Sequence, residues 1–287
     1  MNVLITSPVL NFDKLKRVAA LSEISPDVAI VVDSIEGANL LNEQINGRLG
    51  VYVDLDPGMG RTGITPGPDA IALVHHIIDN CSSLSFAGLQ MYIGNCMHIA
   101  GYEARRSKYT YLLQKGIAVR DQLIDEGIPV PVFSGGGTGT FDIEPGIGAL
   151  TELQAGSYVF MDVEYRDIGD QEGEQFMAFP PSLFVLTSAI SKPQERLITT
   201  DAGIKSLATD TAYPEFRDVE GVKYHFGGDE HGIVQLNNPS REIHPGDRLQ
   251  VITPHCDPTV NLYDYYYPYR DGQITELWPI SARGCSQ

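Results

Sequence analysis

Four short stretches of this sequence concentrate residue types that can do chemistry. Ser134-Gly135-Gly136-Gly137-Thr138-Gly139-Thr140 follows the apolar pair Val132-Phe133. Glycines let a backbone approach an anion closely, and successive N–H groups with Thr hydroxyls can enclose a phosphate. A plain glycine turn uses the same composition. Asp54-Leu55-Asp56-Pro57-Gly58-Met59-Gly60-Arg61-Thr62-Gly63 also follows an apolar run. Its Arg61 guanidinium can donate to a phenolate or carboxylate oxygen, or simply pair with an Asp at the surface. In Gly88-Leu89-Gln90-Met91-Tyr92-Ile93-Gly94-Asn95-Cys96-Met97-His98, Tyr92 can stack on a ring and His98 can serve as acid or base near neutral pH. A lone loop histidine is also commonly just solvated. Finally, His255 and Asp257 stand two apart in Pro254-His255-Cys256-Asp257-Pro258-Thr259-Val260-Asn261. In an extended segment they share a side and form half of a divalent-metal site, with Cys256 facing the other way. A turn with a polar tip has the same pattern.

The elements that must position these residues differ between the two parts of the chain. Up to about residue 165, β-branched runs alternate with longer amphipathic stretches. Strands are expected at 3–6, 28–32, 51–55, 86–91, 130–133 and 157–160, and helices at 12–21, 68–78 and 102–126. The near-continuous apolar character of the strands suits a parallel sheet covered on both faces. Repeated strand-then-helix units imply βα architecture, a barrel or an open doubly wound sheet. After about residue 180, short strands are expected at 183–191, 194–200, 233–236, 248–252 and 273–278. Gly, Pro, Asn and Asp punctuate them, as in an antiparallel β domain. The expected division is 1–175 and 176–287. Six strands fall short of a closed eight-stranded barrel, and the chain opens inside a strand.

Composition narrows the function classes. The 287 residues carry a formal charge of −17, and 43% are hydrophobic. That apolar content supports a full core. The acidity argues against nucleic-acid or anionic-membrane partners, which need clustered Lys and Arg. No apolar stretch reaches transmembrane length, and the start has neither the basic region nor the cleavage site of a signal peptide. Cys81, Cys96, Cys256 and Cys285 form no CxxC. A cytoplasmic, reducing location is expected.

Taken together, the motifs resemble the fold-type III pyridoxal-phosphate enzymes of the D-threonine aldolase and D-serine dehydratase-like family, along essentially the whole chain. The matching signatures are Val3 to Val9 with its Pro8, Val32-Asp33-Ser34, the Asp54–Gly63 arginine segment, Gly88-Leu89-Gln90-x-Tyr92-x-Gly94, Ser134-Gly135-Gly136-Gly137-Thr138, Glu152-Leu153-Gln154-Ala155-Gly156-Ser157-Tyr158, Asp201-Ala202-Gly203-x-Lys205, Glu230-His231-Gly232 and His255 to Asn261. The resemblance implies a TIM-like (β/α) barrel lacking its first two βα units, then an antiparallel β domain, assembled as a homodimer. It implies that Arg61 faces the O3′ of pyridoxal 5′-phosphate, that Tyr92 lines the ring pocket, and that Gly136, Gly137 and Thr138 hold the phosphate. His255 and Asp257 would ligate a divalent ion, manganese first, with zinc or magnesium as substitutes. His98 becomes the base at the substrate β-hydroxyl.

The implied reaction is cleavage of a D-β-hydroxy-α-amino acid, D-threonine giving glycine and acetaldehyde. Eukaryotic-type D-serine dehydratases resemble a His-x-Cys zinc pattern and the aldolases His-x-Asp, so Asp257 favours the aldolase. D-serine or 3-hydroxyaspartate dehydratase is the alternative. One departure stands out. The family's Schiff-base lysine ends the first barrel strand, whereas this chain opens at what resembles the third. None of its seven lysines (Lys14, Lys16, Lys108, Lys115, Lys192, Lys205, Lys223) has that context. The expectations that follow are a truncated product of an ordinary enzyme, with weak cofactor binding and poor turnover, or a non-catalytic binding partner.

Overall fold

The β-branched runs of the first half pair side by side in chain order. In the computed structural model, which describes residues 3–285, the order is β1 (Val3–Ile5), α1 (Phe12–Ile24), β2 (Val28–Val32), α2 (Ile35–Gln44), β3 (Leu49–Asp54), α3 (Pro68–Asn80), β4 (Leu84–Met91), α4 (Gly94–Met97), α5 (Tyr102–Asp125), β5 (Val132–Gly135), α6 (Glu144–Ile147) and β6 (Glu152–Leu153). The six strands make one curled parallel sheet ordered β1 to β6, open among the described residues. Val28, Ile30, Val51, Val53, Leu89 and Phe133 are buried in it. Helix starts are set locally. Asn11 accepts from the Asp13 and Lys14 N–H groups, Ser34 accepts from Gly37 N–H, and Pro68 opens α3.

A bulge interrupts the β3–β4 ladder. Val51 pairs with Phe86 but Tyr52 pairs with Gly88, which makes Ala87 the extra residue. Gly88 has φ +156°, and a Cβ there would overlap the Val132 carbonyl oxygen of β5. Only glycine permits this approach, and the bulge re-aims Gln90 further along the strand.

The chain packs as two compact units that divide between Gly156 and Ser157, ahead of the expected 175/176 boundary. The intervening residues join the second unit through their backbone. Val163 and Glu164 donate to the carbonyls of Thr253 and Pro254, and buried Asp162 accepts from Cys256 N–H. The sixth strand also shifts. Residues 157–159 form a 3-10 turn where a strand was expected, and Glu152–Leu153 pairs with β5 in its place. The aromatic run Tyr158-Val159-Phe160 favours strand locally, but tertiary pairing decides.

The second unit contains α7 (Val163–Arg166), β7 (Phe184–Gln194), β8 (Leu197–Thr200), β9 (Glu215–Phe216), β10 (Val222–Phe226), β11 (Gly232–Leu236), β12 (Arg248–Ile252), α8 (Cys256–Val260) and the short strands β13 (Tyr265–Tyr266), β14 (Tyr269–Arg270), β15 (Gln273–Ile274) and β16 (Trp278–Pro279). Six of these form an antiparallel sheet ordered β10-β11-β8-β7-β12-β9 over a core that includes Ile198, Tyr224, Val234, Leu249 and Val251. The expected strand 273–278 is instead split between two separate two-residue pairings. Among the described residues no helix is long and apolar enough to cross a membrane.

Candidate active site

The strand ends of the first unit carry a buried polar chain that runs from β3 to β6. Asp54, 3% exposed, accepts from Thr62 Oγ1 and Gln90 Nε2, both at 2.9 Å. Gln154 Nε2 donates to Gln90 Oε1 at 3.0 Å and to Ser134 Oγ at 2.9 Å. Burial pushes the Asp54 carboxyl above its ordinary range, against the lowering by Gln90 and Thr62. Each of these residues lies within or beside a motif singled out in the sequence, yet none had been assigned a role.

The arginine loop closes onto the end of this chain. Asp56 Oδ1 collects the N–H groups of Gly58 and Met59, Asp33 Oδ2 accepts from Gly63 N–H, and Leu55 bridges to Ile64. Gly63, at φ +100°, has no room for a Cβ, which would come 2.6 Å from Asp56 N. The loop so fixed carries Arg61, whose guanidinium lies 5.3 Å from the Tyr92 ring centroid, within cation–π reach.

Tyr92 in turn borders the glycine loop. A Cβ at Gly137 would lie 3.4 Å from Tyr92 Cε2 and 2.8 Å from Met97 Sδ; one at Gly136, where φ is +62°, would lie 3.0 Å from Leu153 Cδ2 and 3.4 Å from the Tyr109 hydroxyl. Arg61, Tyr92 and the loop therefore form one contiguous surface. Thr138 is buried and opens a 3-10 turn, Thr138–Thr140. His98 is exposed and caps the C-terminus of α4, the helix that begins two residues after Tyr92.

Two buried groups behind the loop escaped sequence reasoning. Arg105 is fully buried and donates to the carbonyls of Gly139 and Ile99. Tyr109 donates to Glu144, whose other oxygen is buried with no partner. Burial raises the Glu144 carboxyl above its ordinary range, against the lowering by the Tyr109 hydrogen bond. The glycine cradle, the ring-lining tyrosine and the guanidinium thus fit a phosphorylated aromatic cofactor. The seven lysines lie on α1, α5, β7, β10 and the loop after β8; none ends a strand of the parallel sheet.

In the second unit His255 and Asp257 do meet, though not by strand alternation. His255 is the extended N-cap of α8 and Asp257 sits in its first turn. His255 Nε2 lies 3.3 Å from Asp257 Oδ2, and Nδ1 lies 2.7 Å from Asp210 Oδ2. Two donors about 2.1 Å from one ion at cis or tetrahedral angles stand about 3.0–3.4 Å apart, so the pair fits two positions on a divalent cation. Asp210 orients the ring as carboxylates behind metal-bound histidines do. Ser157 Oγ donates to Asp257 Oδ2 at 3.3 Å, and Glu164 Oε2 is 4.0 Å from Nδ1. The Asp257 contact, with Asp210 and Glu164, raises the imidazole to about 9 despite burial. No cluster of three or more His, Cys, Asp or Glu side chains is arranged around one ion among the described residues. Cys256, between them in sequence, is buried in the first turn of α8.

A parallel βα sheet with a glycine loop, followed by an antiparallel β unit, is the alanine-racemase-like architecture. Residues 2–164 match the family profile described as "Alanine racemase, N-terminal domain", and residues 182–269 match "Putative serine dehydratase domain". Among characterised relatives, the 3-hydroxy-D-aspartate aldolase of Paracoccus denitrificans (strain Pd 1222) is 34% identical, covering 99% of this chain and 74% of that protein. The D-threonine aldolase of an Arthrobacter species is 32% identical over the same shares. The crystal structure of D-threonine aldolase from Filomicrobium marinum superposes with a TM-score of 0.93 at 30% identity, covering 100% of this chain and 77% of that one. The chain belongs to the D-threonine aldolase and D-serine dehydratase-like family of fold-type III pyridoxal-phosphate enzymes. By family it is an enzyme of the aldolase and lyase class.

Proposed function

We propose that this protein cleaves D-β-hydroxy-α-amino acids between Cα and Cβ, D-threonine giving glycine and acetaldehyde, with pyridoxal 5′-phosphate and a divalent ion. The observation that carries the proposal is the contiguous surface of Arg61, Tyr92 and the glycine loop. Gly136, Gly137 and Thr138 hold the phosphate, Tyr92 lines the ring, and Arg61 donates to the O3′ oxygen. The cofactor supplies an electron sink for the pair left when the Cα–Cβ bond breaks. His98 takes the β-hydroxyl proton, which lets the O–H pair become the carbonyl of the leaving aldehyde. His255 Nε2 and Asp257 Oδ2 would hold the ion, manganese first and zinc or magnesium in its stead, and it would supply Lewis-acid chemistry. The protein works as a cytoplasmic homodimer on a small D-amino acid, without nucleic-acid or membrane partners.

The serine-dehydratase profile over residues 182–269 favours a second activity, elimination of water from D-serine or 3-hydroxyaspartate. Product analysis separates the two. The protein as its host expresses it, given cofactor and Mn²⁺, is offered D-threonine, 3-hydroxy-D-aspartate and D-serine. Glycine and an aldehyde are expected; a 2-oxo acid with ammonia and no glycine would overturn the aldolase assignment.

A further inference from the structure

Arg105 lies on α5 with its side chain fully buried. Its Nε donates to Gly139 O at 2.6 Å and its Nη1 to Ile99 O at 2.8 Å. Gly139 lies two residues beyond Gly137 in the glycine loop, and Ile99 directly follows His98. One planar guanidinium therefore spans the glycine loop and the segment that carries His98.

The two segments also touch directly. A Cβ at Gly139 would overlap the Met97 carbonyl oxygen, so the backbones lie against each other there. Met97 Sδ fills the space beside Gly137, at 2.8 Å from where its Cβ would stand, and faces Thr140 Oγ1 at 3.8 Å. The Thr140 hydroxyl in turn accepts from Gly137 N–H at 3.2 Å. Met97 thus meets the glycine loop at Gly137, Gly139 and Thr140, and Arg105 ties Ile99 to the same loop through the Gly139 carbonyl. Movement of Gly139 must be followed by Ile99 or break a bond to a buried guanidinium. The fixed fork of Arg suits this bridging, and the single ammonium of Lys cannot keep both bonds in the same geometry.

We infer that Arg105 is a positioning residue that couples the phosphate loop to His98, so that an anion in the loop sets where the His98 imidazole stands. The inference rests on the proposed roles of the glycine loop and His98. It adds that the base is placed only when the cofactor's phosphate is seated, which ties proton removal to cofactor occupancy.

The test is a ¹H–¹³C spectrum of the histidine rings, with His98 assigned through His98→Asn, recorded while inorganic phosphate is titrated into the protein. The His98 signal is expected to shift in step with phosphate saturation, while His75 and His76 on α3 stay still. Arg105→Lys is expected to keep phosphate affinity within about tenfold but to lose most of the His98 shift. Should Arg105→Lys fold poorly, Gly139→Ala keeps the arginine and wedges the segments apart; His98 is then expected to stand displaced before any phosphate is added. A full-sized His98 shift in Arg105→Lys, or an undisplaced His98 in Gly139→Ala, would overturn the coupling. Phosphate that binds the unaltered protein without moving His98 would overturn it too. Failure of phosphate to bind at all would instead remove the phosphate loop itself, and the coupling with it.

Discussion

The glycine loop of the first unit and the His255 turn of the second are built by opposite means. The loop is backbone held in shape: Gly136 sits at positive φ, Gly137 has a sulfur and an aromatic edge where a side chain would begin, and Arg105 clamps the Gly139 carbonyl from behind. The turn is side-chain charge: one imidazole ringed by Asp210, Asp257 and Glu164. A site made of backbone fails when a Cβ is added and is nearly indifferent to pH. A site made of titrating groups tolerates changes of shape and answers to protons and cations. The contrast can be broken or sharpened by experiment.

The largest effect is expected from Asp257→Ala. Removal of the proposed ligand should lower the proposed cleavage activity by about 100-fold and abolish any response to added Mn²⁺, while phosphate affinity stays as it was. Activity that survives with its manganese response intact would strike the ion from this turn. Next come the glycines. Gly136→Ala forces a Cβ into the left-handed region, at about 1–2 kcal/mol, and crowds Leu153, so urea unfolding should shift and phosphate affinity should fall about tenfold. Gly137→Ala has extended backbone and acts by contact with Met97 and Tyr92 alone, so it should weaken phosphate binding with little change in unfolding. Equal effects on unfolding would mean that positive φ is not what distinguishes the two positions.

A smaller effect concerns pH. In metal-free protein the His255 imidazole holds its proton up to about pH 9, whereas in the unfolded chain it releases it near 6.5. The stabilisation is therefore complete below pH 6.5 and fades as pH rises through 9. Melting temperature measured from pH 6 to 9.5 should fall across that window, and fall less in Asp210→Asn. A flat profile would deny that the carboxylates hold the proton. The smallest effect is a blank: borohydride reduction with pyridoxal phosphate should label none of the seven lysines strongly, because none ends a strand of the parallel sheet. One lysine labelled stoichiometrically would identify an amine that the fold does not aim at the loop.

What the sequence disclosed follows from how local its causes are. The strands β2 and β3 announce themselves as Val-rich runs, and Arg61, Tyr92 and Gly137 meet because each lies in the segment after a strand of the parallel sheet, β3, β4 and β5 in turn. The pair His255 and Asp257 was also found, for the wrong reason, since a helix N-terminus rather than strand alternation joins them. Residues recruited over distance left no comparable trace. Asp210 reaches His255 across 45 positions, and Arg105 reads as one more charge on a long, weakly patterned helix. The sixth strand was misplaced because Glu152–Leu153 is short and exposed, while the aromatic run after it has the higher strand propensity.

The chain of side chains from Thr62 through Asp54, Gln90 and Gln154 to Ser134 has a consequence for descent. Each amide in it has a direction: Gln90 gives its nitrogen to Asp54 and offers its oxygen to Gln154, which spends its own nitrogen on both Gln90 and Ser134. Replacing one member reverses or strands the polarity of its neighbours, and a buried amide cannot turn to water for relief. Single substitutions along this line should therefore be rarer among related sequences than paired ones, and a lineage that changes Asp54 should carry a compensating change at Gln90 or Thr62. The strand ends would then drift as a block, while the loops they carry vary one residue at a time.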